Sequence, residues 1–324
     1  MDYPISVPSI GLVGGKFVDE DPLAGTPGSL IPAQWGNAVT DEILHVITVA
    51  GMAPDESNNH QLAKAIQQIN SAGAPLIGSV RNLRGSVAAA SATMQFLADE
   101  VVLKASLGGL TYVIANFNKT INLASVGAGG MDVGVAPVSG WVAIYIAYNP
   151  ALPMSGNNPM LLGKDATSAL QPEAYSGLNM PAGYAASALI AVLPTNSSRL
   201  IPPVRVMDRD TYYYNGAYSG AIASVSSGFT SVSIPAAVPI NARLFTPNIS
   251  ISSGGAGNLS AAIAPTSLGV GSPGYSAAAG YAASAGSGVL IAQLSPIPIA
   301  TPQTTFLTAN GSGNIFLNSY GYRI

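Results

Sequence analysis

The sequence predicts a mainly β protein: a short N-terminal helical hairpin followed by one or two antiparallel β-sandwich-like modules. Three observations predict it. Apolar residues recur at helical spacing most clearly between residues 32 and 70. Beyond residue 76 the chain runs as short β-branched or aromatic segments bounded by Gly, Asn, Pro or Ser. Charge is scarce: 8% of residues are charged, where about a quarter is usual. A surface so poor in charge needs another guard against aggregation, and burying strand edges between subunits is one.

The elements follow in order. Residues 1–31 read as an extended lead-in, punctuated by "GLVGGKF" and "EDPLAGTPGS". Pro32 suits the first turn of a helix. Trp35, Val39, Ile43, Ile47 and Ala50 then form one stripe, with Asp41 and Glu42 on another face, and Gly51 is the expected stop. Pro54, Asp55 and Glu56 predict a second helix start, because acidic groups favour the positive end of the helix dipole. Leu62, Ala65, Ile66 and Ile69 supply its apolar stripe, and "NSAGAP" ends it. Such a hairpin is too small to be stable alone. It packs on its lead-in, on copies of itself, or on another protein.

The candidate strands are 100–106, 110–118, 119–125, 141–149, 188–194 and 201–208, then 230–236, 242–252, 288–295, 304–310 and 314–324. The expected division is 1–72, 73–210 and 211–324. "GYAASALIAVLP" from Gly183 is echoed by "GYAASAGSGVLIAQLSP" from Gly280. The echo reads either as chance in an Ala/Gly/Ser-rich chain or as two related modules in tandem.

Composition also excludes. The 324 residues suffice for two or three domains. Without cysteine there is neither a disulfide framework nor a thiolate metal site. A net charge of −3 gives no electrostatic case for nucleic acid. No apolar run approaches the roughly 20 residues that span a bilayer, so no membrane insertion is expected. Met1-Asp2 is followed by prolines rather than by a basic and then an apolar region, and no signal peptide is expected.

Few residues carry chemistry. The fifteen acidic residues end at Asp210, and after it only Arg243 and Arg323 are charged. A glycosidase needs two carboxylates flanking a sugar bond. Asp165, Glu173, Asp208 and Asp210 are the only late candidates, and turn and strand-end roles suit them better. "VMDRD", with Arg205 and Arg209, reads as a local ion-pair cluster. "GAGGMDVG" (127–134) lacks the Gly-Lys-Ser/Thr ending of a phosphate cradle, so Asp132 is expected to cap a β-turn or bulge loop. The two histidines, His45 and His60, are placed on the two helices with no ligand set around them. No catalytic residue, cofactor or metal is expected. Tyrosine, with an apolar face and a polar tip, suits glycan or protein recognition. Tyr212, Tyr213 and Tyr214 are consecutive, so at least one faces the core of a strand. Tyr275 and Tyr281, in the Gly/Ser/Ala-rich loop 269–288, are the candidates for surface contact, the alternative being packing or subunit contact.

One resemblance joins these readings. "PGSLIPAQWGNAVTDEILHVITVAG" followed by "PDESNNHQLAKAIQQI" resembles the N-terminal segment of tail fibre proteins of tailed bacteriophages and prophages. "FLADEVVL", "INLASVGAGGMDVG", "WVAIYIAYNP" and "MPAGYAASALIAVLPTN" resemble the β module that often follows, and "SVSIPAAVPINARLF" and the final "GYRI" its later part. The resemblance implies a homotrimeric virion protein, made in the host cytoplasm. Its N-terminus would attach to other tail or baseplate proteins. Its C-terminal part would meet a bacterial surface glycan or protein, without catalysis. Trp35, Asn37 and Glu42 are the candidates for attachment to the tail, Trp35 alternatively packing within the hairpin. The other reading is a structural baseplate, tail-tip or adaptor subunit that holds a separate receptor-binding protein.

Overall fold

The computed structural model describes residues 3–25, 27–72, 75–156, 158–214, 220–223, 228–253, 257–270, 278–282, 289–293, 295–310 and 313–324. The chain forms two compact units: Met1–Ala74 with Gly108–Leu110, and Pro75–Leu107 with Thr111–Ile324.

The first unit contains two helices, α1 (Ala33–Val49) and α2 (Gln61–Ala72). Pro32 precedes α1 with an extended ψ of 139°, and its carbonyl accepts the N–H groups of Trp35 and Gly36 at 3.0 and 3.1 Å. After Ala50 the chain turns at Gly51, whose φ of +75° stops the helix in a conformation that costs glycine nothing. The second helix begins later than its acidic run suggests. Asp55 accepts both the N–H and the hydroxyl of Ser57, at 2.9 and 2.7 Å, which closes a turn instead of a helix. The Gln61 side chain accepts from Asp55 N–H and donates to Ala53 C=O, so it ties the approach down. The lead-in is pinned by Ser29 and Leu30, whose N–H groups donate to Val18 and Ile10. Among the described residues Ile47, Ala50 and Ala65 form its buried cluster, with Val46 and Met52 against it, and Ile10 of the lead-in is buried as well.

The second unit is mainly β. Its strands are β1 (Val80–Arg81), β2 (Arg84–Val87), β3 (Thr93–Lys104), β4 (Thr111–Asn122), β5 (Trp141–Tyr148), β6 (Met160–Asp165), β7 (Ala186–Pro194), β8 (Val204–Met207) and β9 (Asp210–Tyr213). They continue as β10 (Gly220–Ala223), β11 (Thr230–Ser233), β12 (Leu244–Ser253), β13 (Gly257–Ala264), β14 (Ala278–Ala282), β15 (Val289–Gln293), β16 (Ile297–Pro298), β17 (Thr304–Asn310) and β18 (Gly313–Arg323). A 14-stranded sheet runs β15-β12-β18-β9-β8-β2-β3-β7-β5-β6, with β1 and β4 on β3, β10 on β18 and β16 on β12. A four-stranded sheet runs β11-β17-β13-β14. Every ladder between these named strands is antiparallel, as the short strands and frequent turns predict.

Burial explains the sequence texture. "WVAIYIAY" and "ASALIAVLP" read as unbroken apolar runs because β5 and β7 are buried on both faces. β8 and β9 alternate buried with exposed residues, because one face of the sheet there meets solvent. The segments expected as 110–118 and 119–125 are one continuous strand, β4, paired along β3 from Thr93↔Asn122 to Lys104↔Thr111. β6 and β13 were not expected: "MLLGKD" and "GNLSAAIA" are short of β-branched residues, and their neighbours rather than their propensity make them strands.

The expected join at 210/211 falls inside β9. One hydrophobic cluster runs from Leu83 to Ile324 and takes residues from both sheets, including Ile144, Leu193, Phe245, Ile263 and Leu307. The echoed segments take different forms: that from Gly183 becomes β7, and that from Gly280 supplies the end of β14 and then β15.

Candidate functional site

Of the expected attachment residues, Trp35 is half-buried, with its ring edge-on to Phe17 at 5.1 Å; Phe17 in turn meets Tyr3 at 5.6 Å. Trp35 therefore packs on the lead-in. Asn37 and Glu42 are exposed on α1. Between the helices is a groove of ≈ 630 Å³, floored by Ile43, Leu44, Ile47 and Leu62 and edged by Asp55 and Glu56. The α2 stripe continues outward, with Leu62, Ile66 and Ile69 at 37, 48 and 40% exposure. His45 is exposed on α1, whereas His60 falls in the turn before α2, its N–H donated to Asn58 Oδ1.

The tyrosine run divides by strand alternation. Tyr213 is buried and donates its hydroxyl to Ala237 C=O at 2.9 Å, while Tyr212 and Tyr214 face out. Tyr322, from the far end of the chain, lies 5.9 Å from Tyr213 and donates to Val192 C=O. Burial pushes the phenols of both Tyr213 and Tyr322 well above their ordinary range. Of the loop candidates, Tyr275 lies outside the described residues; Tyr281 lies in β14, where its backbone pairs with Asn258.

The loop 127–134 is held as a turn. Asp132 Oδ1 accepts Val133 N–H at 2.8 Å and Oδ2 accepts the Tyr175 hydroxyl at 2.7 Å. Burial first, and this bond second, raise the Tyr175 phenol above its usual range. The remaining late carboxylates each hold backbone or an arginine. Asp165 accepts Thr167 N–H, Asp208 accepts Leu83 N–H, and Glu173 pairs with Arg209. The "VMDRD" charges thus pair with distant segments rather than with one another: Asp210 is gripped by Arg323, Nε to Oδ1 at 2.8 Å and Nη2 to Oδ2 at 2.6 Å.

That pair marks a shallow pocket of ≈ 80 Å³ lined by Asp210, Tyr212, Leu244, Thr246, Pro296 and Arg323, among others. Tyr212 is 42% exposed beside it. Burial and the Asp210 charge raise the Tyr212 phenol, and the bond to Asp210 raises the Arg323 guanidinium. The sequence offers Tyr212 as one of three consecutive tyrosines, at least one of them facing the core, and gives no sign of this setting. Alternation in "VRVM" and "DTYY" hints at one polar face; which strands lie beside it is a matter of long-range pairing. Among the described residues no group of three or more His, Asp or Glu could hold a metal ion, and no helix is long and apolar enough to cross a membrane.

No family model matches the chain, and no curated protein matches it. Among solved structures, a Bacillus thuringiensis Cry1Da tryptic core variant is similar at a TM-score of 0.16 and 10% identity, over 78% of this chain and 54% of that one. A likeness at that level carries no argument.

Proposed function

We propose that this chain is a bacteriophage tail fibre protein that attaches to host cells without catalysis. Its N-terminal helical unit holds it to a tail or baseplate protein, its β unit recognises the cell surface, and three copies assemble. One observation carries the reading. Among the described residues the helical unit's buried cluster is Ile47, Ala50 and Ala65, and Leu62, Ile66 and Ile69 of the α2 stripe stay exposed. Three small or medium side chains supply only a few kcal/mol by apolar burial, at about 25 cal/mol per Å², so the unit gains from a partner that covers Leu62, Ile66 and Ile69. The β unit adds support: its late carboxylates are committed to structural bonds, which favours binding over hydrolysis.

The test is a fluorescent fusion of the full chain, with residues 75–324 alongside, measured on host cells and on receptor-deficient mutants. Light scattering reports the number of copies in each. Receptor-dependent binding by a folded oligomer supports the reading. A folded oligomer that binds no cells but is retained on tail proteins points instead to an adaptor that holds a separate receptor-binding protein.

A further inference from the structure

Strand register gathers three arginines on one solvent face of the large sheet. One row across β2, β8, β9, β18 and β12 reads Arg84, Met207, Asp210, Arg323, Leu244. The next reads Ser86, Arg205, Tyr212, Gly321, Thr246. The residues between them, Gly85, Val206, Thr211, Tyr322 and Phe245, are buried, while Arg84, Ser86, Arg205, Met207, Tyr212 and Arg323 are exposed, so these side chains point away from the core; Gly321 among them is buried. The chain has 12 Lys and Arg in all, and three of them are exposed here. Arg323 is compensated by Asp210. Among the described residues no ion pair engages Arg84 or Arg205. Two further carboxylates, Asp99 and Asp208, lie past the first row and are occupied, by Asn82 Nδ2 at 2.5 Å and by Leu83 N–H at 3.0 Å. The row holding Arg205 and Tyr212 contains no acid.

The geometry points to a binding site on this face for a saccharide that bears a carboxylate, of the uronic-acid type. Each part of such a sugar has a counterpart. Arg205, with Arg84 diagonal to it, offers forked N–H donors to the carboxylate. The Tyr212 ring takes the apolar face of the pyranose. Gly321, its neighbour on β18, has no side chain to crowd that ring. Asp210 is held by Arg323 as an acceptor for ring hydroxyls, and Thr246 adds a hydroxyl in the same pocket. The Asp210 charge also sets a preference. Sugar hydroxyls donate to it, whereas a phosphodiester polymer, which matches the carboxylate at one charge per unit, offers Tyr212 no pyranose ring. The cellular meaning of the site rests on the attachment reading; the site itself rests on this face alone.

The experiment titrates the full chain with oligogalacturonate by calorimetry. Dextran, polyglutamate, poly(glycerol phosphate) and single-stranded DNA serve as comparisons. Oligogalacturonate should bind at least about tenfold tighter than each of them, and Arg205→Ala and Tyr212→Ala should each lower its affinity about tenfold. Arg205→Lys keeps the charge but loses the fork, and should fall between. Only variants that melt with the parent chain are compared. Equal binding of polyglutamate or DNA would reveal general polyanion attraction and overturn the proposal. Tighter binding of the phosphate polymer, or unchanged affinity in the Arg205→Ala/Tyr212→Ala double variant, would also overturn it. Cell adsorption separates the two readings. Adsorption without uronate binding removes this site and leaves attachment standing; uronate binding without adsorption does the reverse.

Discussion

Arg209 grips Glu173, 36 residues earlier in the chain, with two parallel bonds of 3.0 and 2.8 Å. Its Nε donates to the carbonyl of Ile324 at 3.1 Å. One guanidinium therefore links the β8–β9 turn, the segment before β7 and the end of β18. Beneath it lies Gly78 at φ +74°, where a Cβ would stand 2.7 Å from Arg209 Nη1.

Arg209→Ala should cost stability. Glu173 is 41% exposed, so solvent screens the pair and the loss is about 1–2 kcal/mol rather than that of a buried ion pair. Arg209→Lys should recover less than half of it, because an ammonium cannot form the fork. Urea midpoints of the three proteins decide this; equal midpoints would show the fork contributes nothing.

Gly321 is confined by backbone. A Cβ there would come within 2.4 Å of the Thr211 carbonyl oxygen and 3.2 Å of Tyr212 Cα. Backbone cannot swing aside as a side chain does, so Gly321→Ala should destabilise by about 1–3 kcal/mol. Thermal melting of the variant measures it, and an unchanged transition would mean that β9 and β18 separate more easily than their register implies.

Alkali should unfold the β unit. Burial holds the phenols of Tyr145, Tyr213 and Tyr322 above their usual range. An unfolded tyrosine ionises near pH 10. A group whose folded pKa is raised contributes its full stability below the unfolded value and loses it as pH rises above that value. The melting temperature should therefore hold up to about pH 10 and fall beyond it. Tyrosinate absorbance should rise with unfolding, and titration of all tyrosines before unfolding would contradict this.

The two tryptophans should report the two units separately. Trp141 is 4% exposed and donates its indole N–H to Pro235 at 3.0 Å, whereas Trp35 is half-buried on the lead-in. Iodide should quench Trp35 emission more strongly. Trp35→Phe should remove most of the quenchable signal and leave the melting of the β unit in place; equal quenching of both indoles would refute this.

Local signals made much of the fold legible. The helical stripe around Ile47 and the unbroken runs of β5 and β7 carry their period in the residues themselves. The late start of α2 was hidden because Asp55 could serve a helix or a turn, and Ser57 chose the turn. The face around Tyr212 was hidden more deeply. Tyr212 meets Gly321, and Asp210 meets Arg323, across a separation of 113 residues in the latter pair. No local pattern encodes such a register.

The position of β18 in the large sheet has a consequence for biosynthesis. It pairs with β9, β10 and β12, so those strands keep open hydrogen-bonding edges until residues 313–323 leave the ribosome. Long-range closure of this kind is slow, and the nascent chain waits with an adhesive, unfinished sheet.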